Sequence, residues 1–572
     1  MKKILLIIAI CISYISTAQN LESKIPNTAK AVVSMNGDRL FELVSTSDFD
    51  KYDFAKKMFK EFHKKDTTLD INSINDFGID TNSKAYYFYK TTDSINYHTI
   101  LVKLADKSKF ENIISDSDRE RIEEKGDINI LVDNSGITAW NSKMLVTSFG
   151  DKSFTYFKDN KERFMKQAEN EEDAYYQVKK KIGQEWTKEH ILSIYSGGSS
   201  TSILANKNYL ANKDRNAVAS AWINNYGELI SGAMSGMYGM AGMSSLNSLT
   251  GLQSSLYGFK SVVANLYFEE DGMRMSTQME VSEDWQKIFK KIYKSKMDSN
   301  FFKYFNQNEA LAYMSFSMDM EAVFEEYPTI MANIYGGMLP DSREELQVGS
   351  ELMSMLLDEE AIGELITGDM LFVLNDFGEK EVTYTSYEYD EDYKRKEVIK
   401  AKKDIAPDFT LMIGSKKGKF LTKATLLGVK HKLAENKAGY FKVVAPKSEI
   451  PVDMYTAVKN DILFFTTSED KISKIVKGSY GNNAGKHQKL IKNNISTFYV
   501  NGQQLFSKVP ASELSRKEKN YLQFAQQNFT DAYFKSSKMK GNKMHSEMKI
   551  NTTTSKGNSL KLMLDFIEVL AR

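Results

Sequence analysis

Cysteine is almost missing from this chain, whose 572 residues contain a single one, Cys11. One thiol cannot form an intramolecular disulfide, and it cannot supply the paired thiolates of a structural zinc site or a redox couple. Proline is also scarce, with 7 residues, which argues against long stiff linkers. Stability therefore has to come from packing and hydrogen bonding.

The N-terminal segment has the three parts of a signal peptide. Two lysines precede an apolar run at residues 4–15, and small residues follow at 16–18. We predict cleavage after Ala18, which leaves a mature chain without cysteine. The run is shorter than the roughly 20 apolar residues that a membrane span needs. The sequence therefore predicts export to the periplasm or outer membrane, with no transmembrane span after signal removal.

The alternative for this segment is a lipoprotein signal that uses Cys11. Such a signal requires small residues just before the cysteine, and Ile10 stands there. The apolar stretch ahead of Cys11 is also short. Cleavage after Ala18 remains the prediction.

The chain has no excess of charge of either sign. Lysine and arginine number 76, aspartate and glutamate 75, and the net charge is +1. A nearly neutral chain creates no long-range field that favours nucleic acid or an anionic membrane. We therefore expect no nucleic-acid partner.

Recognisable catalytic motifs are absent. The six histidines are scattered, and none has the partner at i+4 and the glutamate of a zinc protease: they are His63, His98, His190, His431, His487 and His545. The nearest approach to a phosphate loop, residues 481–486, has its glycines too close and is followed by His487 instead of Ser or Thr. No cofactor and no catalytic residue is predicted, although a pair of carboxylates acting on a sugar stays open.

What the sequence does contain is repetition. Ser-Met-Asn-Gly-Asp-Arg-Leu-Phe at 34–41 aligns with Tyr-Val-Asn-Gly-Gln-Gln-Leu-Phe at 499–506. Altered versions occur at 220–229 and 311–319. Each version predicts a strand, a polar turn and the start of a helix.

Further matches follow one another in the same order along the chain. They pair residues 99–102 with 410–413, 139–146 with 457–464, and 275–281 with 544–550. Ordered self-similarity is typical of internal duplication. We predict an α+β fold of two tandem duplicated halves, residues 19–295 and 296–572, each a mainly antiparallel sheet flanked by helices.

Two short stretches carry a family resemblance. Ile-Pro-Asn-Thr-Ala at 25–29 leads into the strand at 31–36, and Gly-Ile-Asp at 78–80 leads into Ala-Tyr-Tyr-Phe at 85–88. Together they resemble the opening of a family of exported, uncharacterised bacterial proteins catalogued as domain of unknown function number 4836. The resemblance implies an envelope location and an α+β fold, and it brings no known catalytic residues.

Residues 229–259 differ in composition from the rest of the chain, because they are almost uncharged and rich in Gly, Ser and Met. Three interpretations stay open. The segment is a helix with separate stripes of methionine and small residues, or it is a loop. Alternatively, its thioethers hold a cuprous ion. The candidate metal ligands are Met234, Met237, Met240 and Met243.

A second insertion, at 381–408, is charged. Its first part contains Tyr384, Tyr387 and Tyr389, and an acidic cluster at 390–392 precedes Lys394, Arg395 and Lys396. The pattern predicts a long hairpin with a solvated, charged tip. A protein-docking arm is the alternative.

Three functions follow, in order of preference. The first is a non-catalytic envelope protein that binds a partner protein or an apolar ligand, and it rests on duplication, export and the absence of catalytic motifs. The second is a hydrolase of envelope polymers with a composite carboxylate site. The third is a copper-handling protein that uses the Met-rich segment.

Overall fold

The computed structural model describes residues 21–571 with eleven gaps. The gaps are residues 66–70, 134–135, 167–174, 198–200, 226–257, 294–295, 336–342, 390–392, 445–451, 510–513 and 554–556. The predicted signal peptide and cleavage site therefore lie outside the described residues.

The strands occur largely in consecutive runs separated by helices, as expected of an α+β protein. They are β1 (Ala31–Asn36), β2 (Lys84–Lys90), β3 (Ile95–Lys103), β4 (Glu123–Lys125), β5 (Ile128–Val132), β6 (Ile137–Trp140), β7 (Met144–Lys152), β8 (Ala219–Asn224), β9 (Phe259–Phe268), β10 (Gly272–Val281), β11 (Ala312–Ser317), β12 (Asp369–Tyr389), β13 (Arg395–Gly414), β14 (Ala434–Asn436), β15 (Phe441–Val443), β16 (Tyr455–Lys459), β17 (Ile462–Thr466), β18 (Asn494–Asn501), β19 (Phe529–Ser537) and β20 (Lys543–Thr552).

The α-helices range from single turns to the 22 residues of α8. They are α1 (Gly37–Leu43), α2 (Thr46–Phe49), α3 (Asp53–Lys65), α4 (Lys107–Asn112), α5 (Asp116–Arg119), α6 (Phe154–Asp159), α7 (Lys161–Met165), α8 (Tyr175–Ser196), α9 (Lys207–Ala211), α10 (Glu283–Ile292), α11 (Met320–Glu325), α12 (Tyr327–Tyr335), α13 (Arg343–Leu356), α14 (Glu359–Leu365), α15 (Gly418–Lys430), α16 (Glu469–Lys477), α17 (His487–Lys492), α18 (Gly502–Ser507), α19 (Arg516–Asn528) and α20 (Ser559–Ala571).

The chain divides into two compact units. The first unit comprises the described residues within Met1–Ser244, Ser261–Glu269 and Gly557–Arg572, and the second those within Ser245–Lys260 and Glu270–Lys556. Strand β10 and helix α10 thus belong to the second unit, while the C-terminal helix α20 belongs to the first. The predicted boundary between residues 295 and 296 separates the two duplicated halves, and it stays a prediction.

Each unit has an antiparallel sheet. The strand order in the first unit is β4-β5-β6-β7-β3-β2-β1-β8-β9. In the second it is β14-β15-β16-β17-β13-β12-β11-β18-β19-β20-β10. The first nine strands of the two orders correspond one to one, so positions in one sheet have counterparts in the other. The predicted α+β class with a large antiparallel sheet is confirmed.

One face of each sheet is covered and forms a core. In the first unit this core contains Val32, Tyr86, Phe88, Leu101, Val146, Trp222 and Val263 from the strands, with Ile191 and Ile194 from α8. In the second unit it contains Tyr313, Leu371, Val373, Met412, Phe464 and Tyr499, with Phe301, Phe302 and Phe305 and with Ile472 and Ile475 from α16. Alternation along each strand places these residues on one side of the pleat.

The predicted strand-turn-helix units occur where they were expected. Strand β1 runs directly into α1, β18 into α18, and β11 into α11, in which the Asp319 carboxylate accepts a hydrogen bond from the Ala322 backbone N–H. Only the strand of the version at 220–229 lies within the described residues. The asparagine of the shared Asn-Gly pair makes different hydrogen bonds at its two positions, Asn36 and Asn501. Asn501 accepts from the Gln504 N–H at 3.1 Å, whereas the Asn36 side chain donates to the Ala217 carbonyl at 2.7 Å.

The charged insertion forms the predicted hairpin, since β12 and β13 pair continuously out to Tyr389 and Arg395. The Arg395 guanidinium lies 3.4 Å from the centre of the Tyr387 ring. The acidic tip at 390–392 lies outside the described residues. Within the described parts of the chain, no helix combines the length and the apolar run needed to cross a membrane.

Candidate functional site

The Met-rich segment that carries the copper hypothesis lies outside the described residues. Met234, Met237, Met240 and Met243 all fall within 226–257. Among the described residues, no three His, Cys, Asp or Glu side chains come together in a way that could hold a metal ion. The copper hypothesis thus stays an untested prediction.

One buried histidine lies beside two hydroxyls, an arrangement that invites comparison with a catalytic triad. The His190 Nε2 atom is 3.1 Å from the Thr99 hydroxyl, which is 3.0 Å from the Ser148 hydroxyl. Thr99 and Ser148 are completely buried and His190 is 5% exposed, with its ring stacked on Tyr97. A nucleophile that no substrate can reach is not catalytic, so this cluster belongs to the core.

Because His190 is buried, we expect the stability of the first unit to decrease at acidic pH. Burial lowers the pKa of His190 from 6.5 to about 3, so below pH 6.5 the unfolded chain binds a proton that the folded chain refuses. Its stabilising effect is complete above pH 6.5 and is lost as the pH falls towards 3. Between pH 7 and 5 we expect a loss of about 2 kcal/mol from this group.

The variant His190→Gln tests this expectation, because carboxylate contributions are common to both proteins and cancel. Urea unfolding at pH 7 and pH 5 should show a smaller loss of stability in His190→Gln than in the original protein. Equal losses in the two proteins would contradict the assignment.

A small cavity in the first unit is lined by both charged and apolar side chains. It lies on the covered face of the sheet, where Val32 and Ser34 of β1 face Trp222 and Ser220 of β8. Its volume is about 30 Å³, which is room for roughly two or three waters. The lining residues are Glu22, Val32, Ser34, Lys84, Tyr209, Asn212, Lys213, Asp214, Ser220, Ala221, Trp222 and Val263.

A buried carboxylate anchors the cavity wall. Glu22 is 3% exposed and accepts hydrogen bonds from the Tyr209 hydroxyl at 2.5 Å and from the Lys213 ammonium at 2.6 Å. Both oxygens therefore have a donor, as a buried charge requires. Burial first, and the Glu22 charge second, raise the pKa of Tyr209 well above its usual range, so this phenol stays protonated and donating.

Two further polar side chains of the cavity lining are Lys84 and Trp222. Lys84 is half-buried, and its pKa is lowered by burial while the Glu22 charge opposes that effect. Trp222 is 3% exposed, and its Nε1 has no hydrogen-bond partner in the described part of the structure. The Trp222 ring meets the Tyr209 ring edge to face at 5.5 Å.

Two carboxylates, Glu22 and Asp214, line this cavity, which bears on the hydrolase hypothesis. Asp214 accepts from the Tyr267 hydroxyl at 2.6 Å, and Glu22 is held by Tyr209 and Lys213. A glycosidase must fit a sugar ring between its acids. A cavity that holds two or three waters is too small for a sugar ring, so it does not support the hydrolase hypothesis.

None of the cavity residues was predicted from the sequence. Glu22 and Lys84 belong to no motif, and Trp222 lies in the repeat version at 220–229, which predicted a strand and no site. From the sequence, Glu22 would be taken for a surface residue. Only the tertiary structure brings Tyr209 and Lys213 next to its carboxylate.

A row of apolar side chains crosses eight strands of the second sheet, on the face opposite Tyr313 and Tyr499. At β10 and β20 the same face also carries Val281 and Met544, which pack against α10. The apolar row consists of successive cross-strand neighbours: Phe465, Leu411, Phe372, Met314, Phe498, Phe534, Met548 and Met275. Four of them are large and exposed, with Phe498 at 45%, Phe534 at 37%, and Met548 and Met275 at 39% each. Antiparallel sheets normally present polar side chains on their solvated face, so this row is exceptional.

The first unit has a similar uncovered row. Ile100, Tyr87, Val33, Ala221 and Ala264 are cross-strand neighbours, of which Ile100 is 43% and Val33 is 40% exposed. Exposed contiguous apolar patches of this kind mark interaction surfaces.

Comparisons with known proteins add little. No protein-family model matches the chain, and no curated protein matches it. Crystal forms III and I of TP0453 are similar at 8% identity over 47% of this chain and 82% and 81% of theirs, with TM-scores of 0.25 and 0.23. Similarity at that level carries no argument about fold or function, and the resemblance to domain of unknown function number 4836 stays a prediction.

Proposed function

We propose that this is a non-catalytic binding protein of the cell envelope, and that the apolar row of the second unit docks a partner protein. The observation that carries the proposal is the unbroken row of apolar side chains across eight strands, of which Phe498, Phe534, Met548 and Met275 are 37–45% exposed. Leaving such a face in water is unfavourable by roughly 25 cal/mol per Å² of apolar surface. A partner that covers it gains that free energy.

The geometry favours a protein over a small apolar ligand. Small-molecule sites are concave and enclose most of their ligand, whereas the row lies on the open face of a sheet. The cavity described above is small and polar. An apolar protein surface is the occupant that suits an open sheet face, and the uncharged row gives no attraction for a charged polymer.

Duplication and export are further parts of the proposal. The matching strand orders support two copies of one ancestral module, and the N-terminal segment supports secretion. The partner would then be another envelope protein. Superposition of β1–β9 on β11–β19 tests the duplication, and N-terminal sequencing of the secreted protein tests cleavage after Ala18.

The double variant Phe498→Ser, Phe534→Ser tests the docking face. Proteins captured from envelope extracts by the original chain and by the variant are compared, and any protein lost with the variant is purified and titrated. Truncating two aromatic side chains inside an interface costs more than about 1 kcal/mol each. We expect the purified partner to bind the variant at least tenfold more weakly.

Phe154→Ser is the matched control, because Phe154 is 70% exposed on α6 and belongs to neither row. It should bind the partner like the original chain. A purified partner that binds the double variant equally well overturns the proposal. Lipid that co-purifies with the original chain alone, or self-association that the double variant abolishes, replaces it with an apolar ligand or a second copy.

A further inference from the structure

We propose that the cavity of the first unit binds a small anion of the carboxylate class through the indole N–H of Trp222 and the ammonium of Lys84. The site is independent of the partner-docking function, because it lies on the covered face of a sheet in the first unit. The docking row belongs to the second unit. Four observations support the assignment.

The first is the buried indole. Trp222 is 3% exposed, and its Nε1 has no acceptor among the described residues. An indole nitrogen only donates, and an unsatisfied buried donor costs about 1–3 kcal/mol. Whatever completes this site must therefore offer a hydrogen-bond acceptor.

The second is the charge of the cavity wall. Of the two carboxylates in the lining, Glu22 is paired with Lys213 and accepts from Tyr209, and Asp214 accepts from the Tyr267 hydroxyl. Lys84 brings a second ammonium to the same small space, where burial disfavours its charged form. An anion beside Lys84 offsets that cost, whereas a cation or a neutral donor does not.

The third is size. About 30 Å³ accepts the head of a carboxylate or two to three waters, and it does not accept a ring. The apolar floor made by Val32 and Val263 excludes additional polar groups. A larger molecule could enter only by its carboxylate end.

The fourth is the contrast with the corresponding place in the second unit. Where Val32 pairs with Trp222 in the first sheet, Tyr313 pairs with Tyr499 in the second. Those rings stack at 5.1 Å, and the Tyr313 hydroxyl lies 2.8 Å from His487 Nδ1. The second unit fills this position with aromatic rings and satisfies the Tyr313 hydroxyl internally, so the same strand order does not require a cavity here.

Indole N–H resonances of the full chain, labelled with ¹⁵N, give a direct test. The chain has four tryptophans, and the variant Trp222→Phe identifies the resonance of Trp222. Sodium acetate is titrated at constant ionic strength, with sodium chloride as the second arm. We expect the Trp222 resonance alone to move to a plateau with acetate, and not with chloride.

Lys84→Gln should weaken acetate binding at least tenfold. Lys207→Gln is the matched control, because Lys207 is exposed on α9 and does not line the cavity. If Lys84→Gln does not fold, calorimetric titration of Trp222→Phe replaces it, with at least fivefold weaker binding expected.

Three results would overturn the proposal. The first is a Trp222 resonance that does not move, which leaves a cavity filled only by water. The second is saturation by chloride, which removes the carboxylate class. The third is unchanged acetate binding in Lys84→Gln. None of these bears on the docking row, so failure here is distinguishable from failure of the proposed function.

Discussion

Substituting Gly37 by alanine is expected to lower the free energy of unfolding of the first unit by about 3 kcal/mol or more. A Cβ at this position would lie 2.1 Å from the Thr81 carbonyl oxygen and 2.5 Å from that of Ser83. Both are backbone atoms, so relief requires the turn before β2 to move. Gly37 also opens α1, and a shift there disturbs the end of β1.

The repeated Asn-Gly pair supplies the control for this prediction. At Gly502 the nearest backbone atom to an added Cβ would be the Thr530 carbonyl oxygen, at 3.2 Å. Gly502→Ala should therefore cost roughly 1 kcal/mol or less, because the neighbour need give by only a few tenths of an ångström. An equal loss of unfolding free energy in the two variants would contradict the prediction. It would show that the backbone near Gly37 moves away from the added Cβ without cost.

Urea unfolding followed by tryptophan fluorescence makes the comparison specific to each unit. Trp140, Trp186 and Trp222 lie in the first unit and Trp285 in the second. In a Trp285→Phe background the signal comes from the first unit alone. Gly37→Ala should shift that transition to lower urea. Gly502 lies in the second unit, so the smaller loss in Gly502→Ala is read from the Trp285 signal of chains that retain this tryptophan.

The second large effect is expected at Glu22. Glu22→Gln removes a buried negative charge that accepts from Tyr209 and Lys213. Breaking one side of a buried ion pair costs about 3–5 kcal/mol. Since the Lys213 side chain is 31% exposed and can regain water, we expect the lower end, about 3 kcal/mol, measured by urea unfolding at pH 7.

Two comparisons isolate the cause. Tyr209→Phe removes one of the two donors and should cost about 1–2 kcal/mol. Asp48→Asn breaks an ion pair of similar length, 2.7 Å, in which both side chains are exposed, and it should have no measurable effect. A Glu22→Gln variant as stable as Asp48→Asn would show that the carboxylate is not structurally required.

The sequence predicted the local elements better than the site. The Asn-Gly and Asp turns marked where β1, β18 and β11 give way to helices. These features depend on neighbours along the chain, so period and turn chemistry suffice. The long β12–β13 hairpin was predicted for the same reason.

The apolar row was within reach of the sequence but was not recognised. Met548 is flanked by Glu547 and Lys549 in β20, as in an ordinary half-exposed strand. In β18, Phe498 is followed by the buried Tyr499, so both faces of that strand carry apolar side chains. A strand of that kind is normally covered on both sides. Which of these apolar side chains stay exposed depends on where the helices pack, and no local sequence pattern predicts the positions of the helices.

The cavity was out of reach. Glu22 and Lys213 are 191 residues apart, and nothing in the surroundings of either residue predicts a buried charge. Burial of Glu22 follows from the packing of residues 21–24 and α9 on the covered face of the sheet.

By itself, then, the sequence determined the kind of protein: an α+β chain without thiol cross-links, with ordered internal similarity and no recognisable catalytic motif. These properties depend on composition, on local periodicity and on the order of similar segments, all of which can be determined without knowing the contacts between distant residues. The tertiary structure alone decided which apolar side chains of each sheet stay exposed, and which distant charges meet beside Trp222. Both depend on contacts between residues far apart in sequence, whose free energies exist only once the chain has folded.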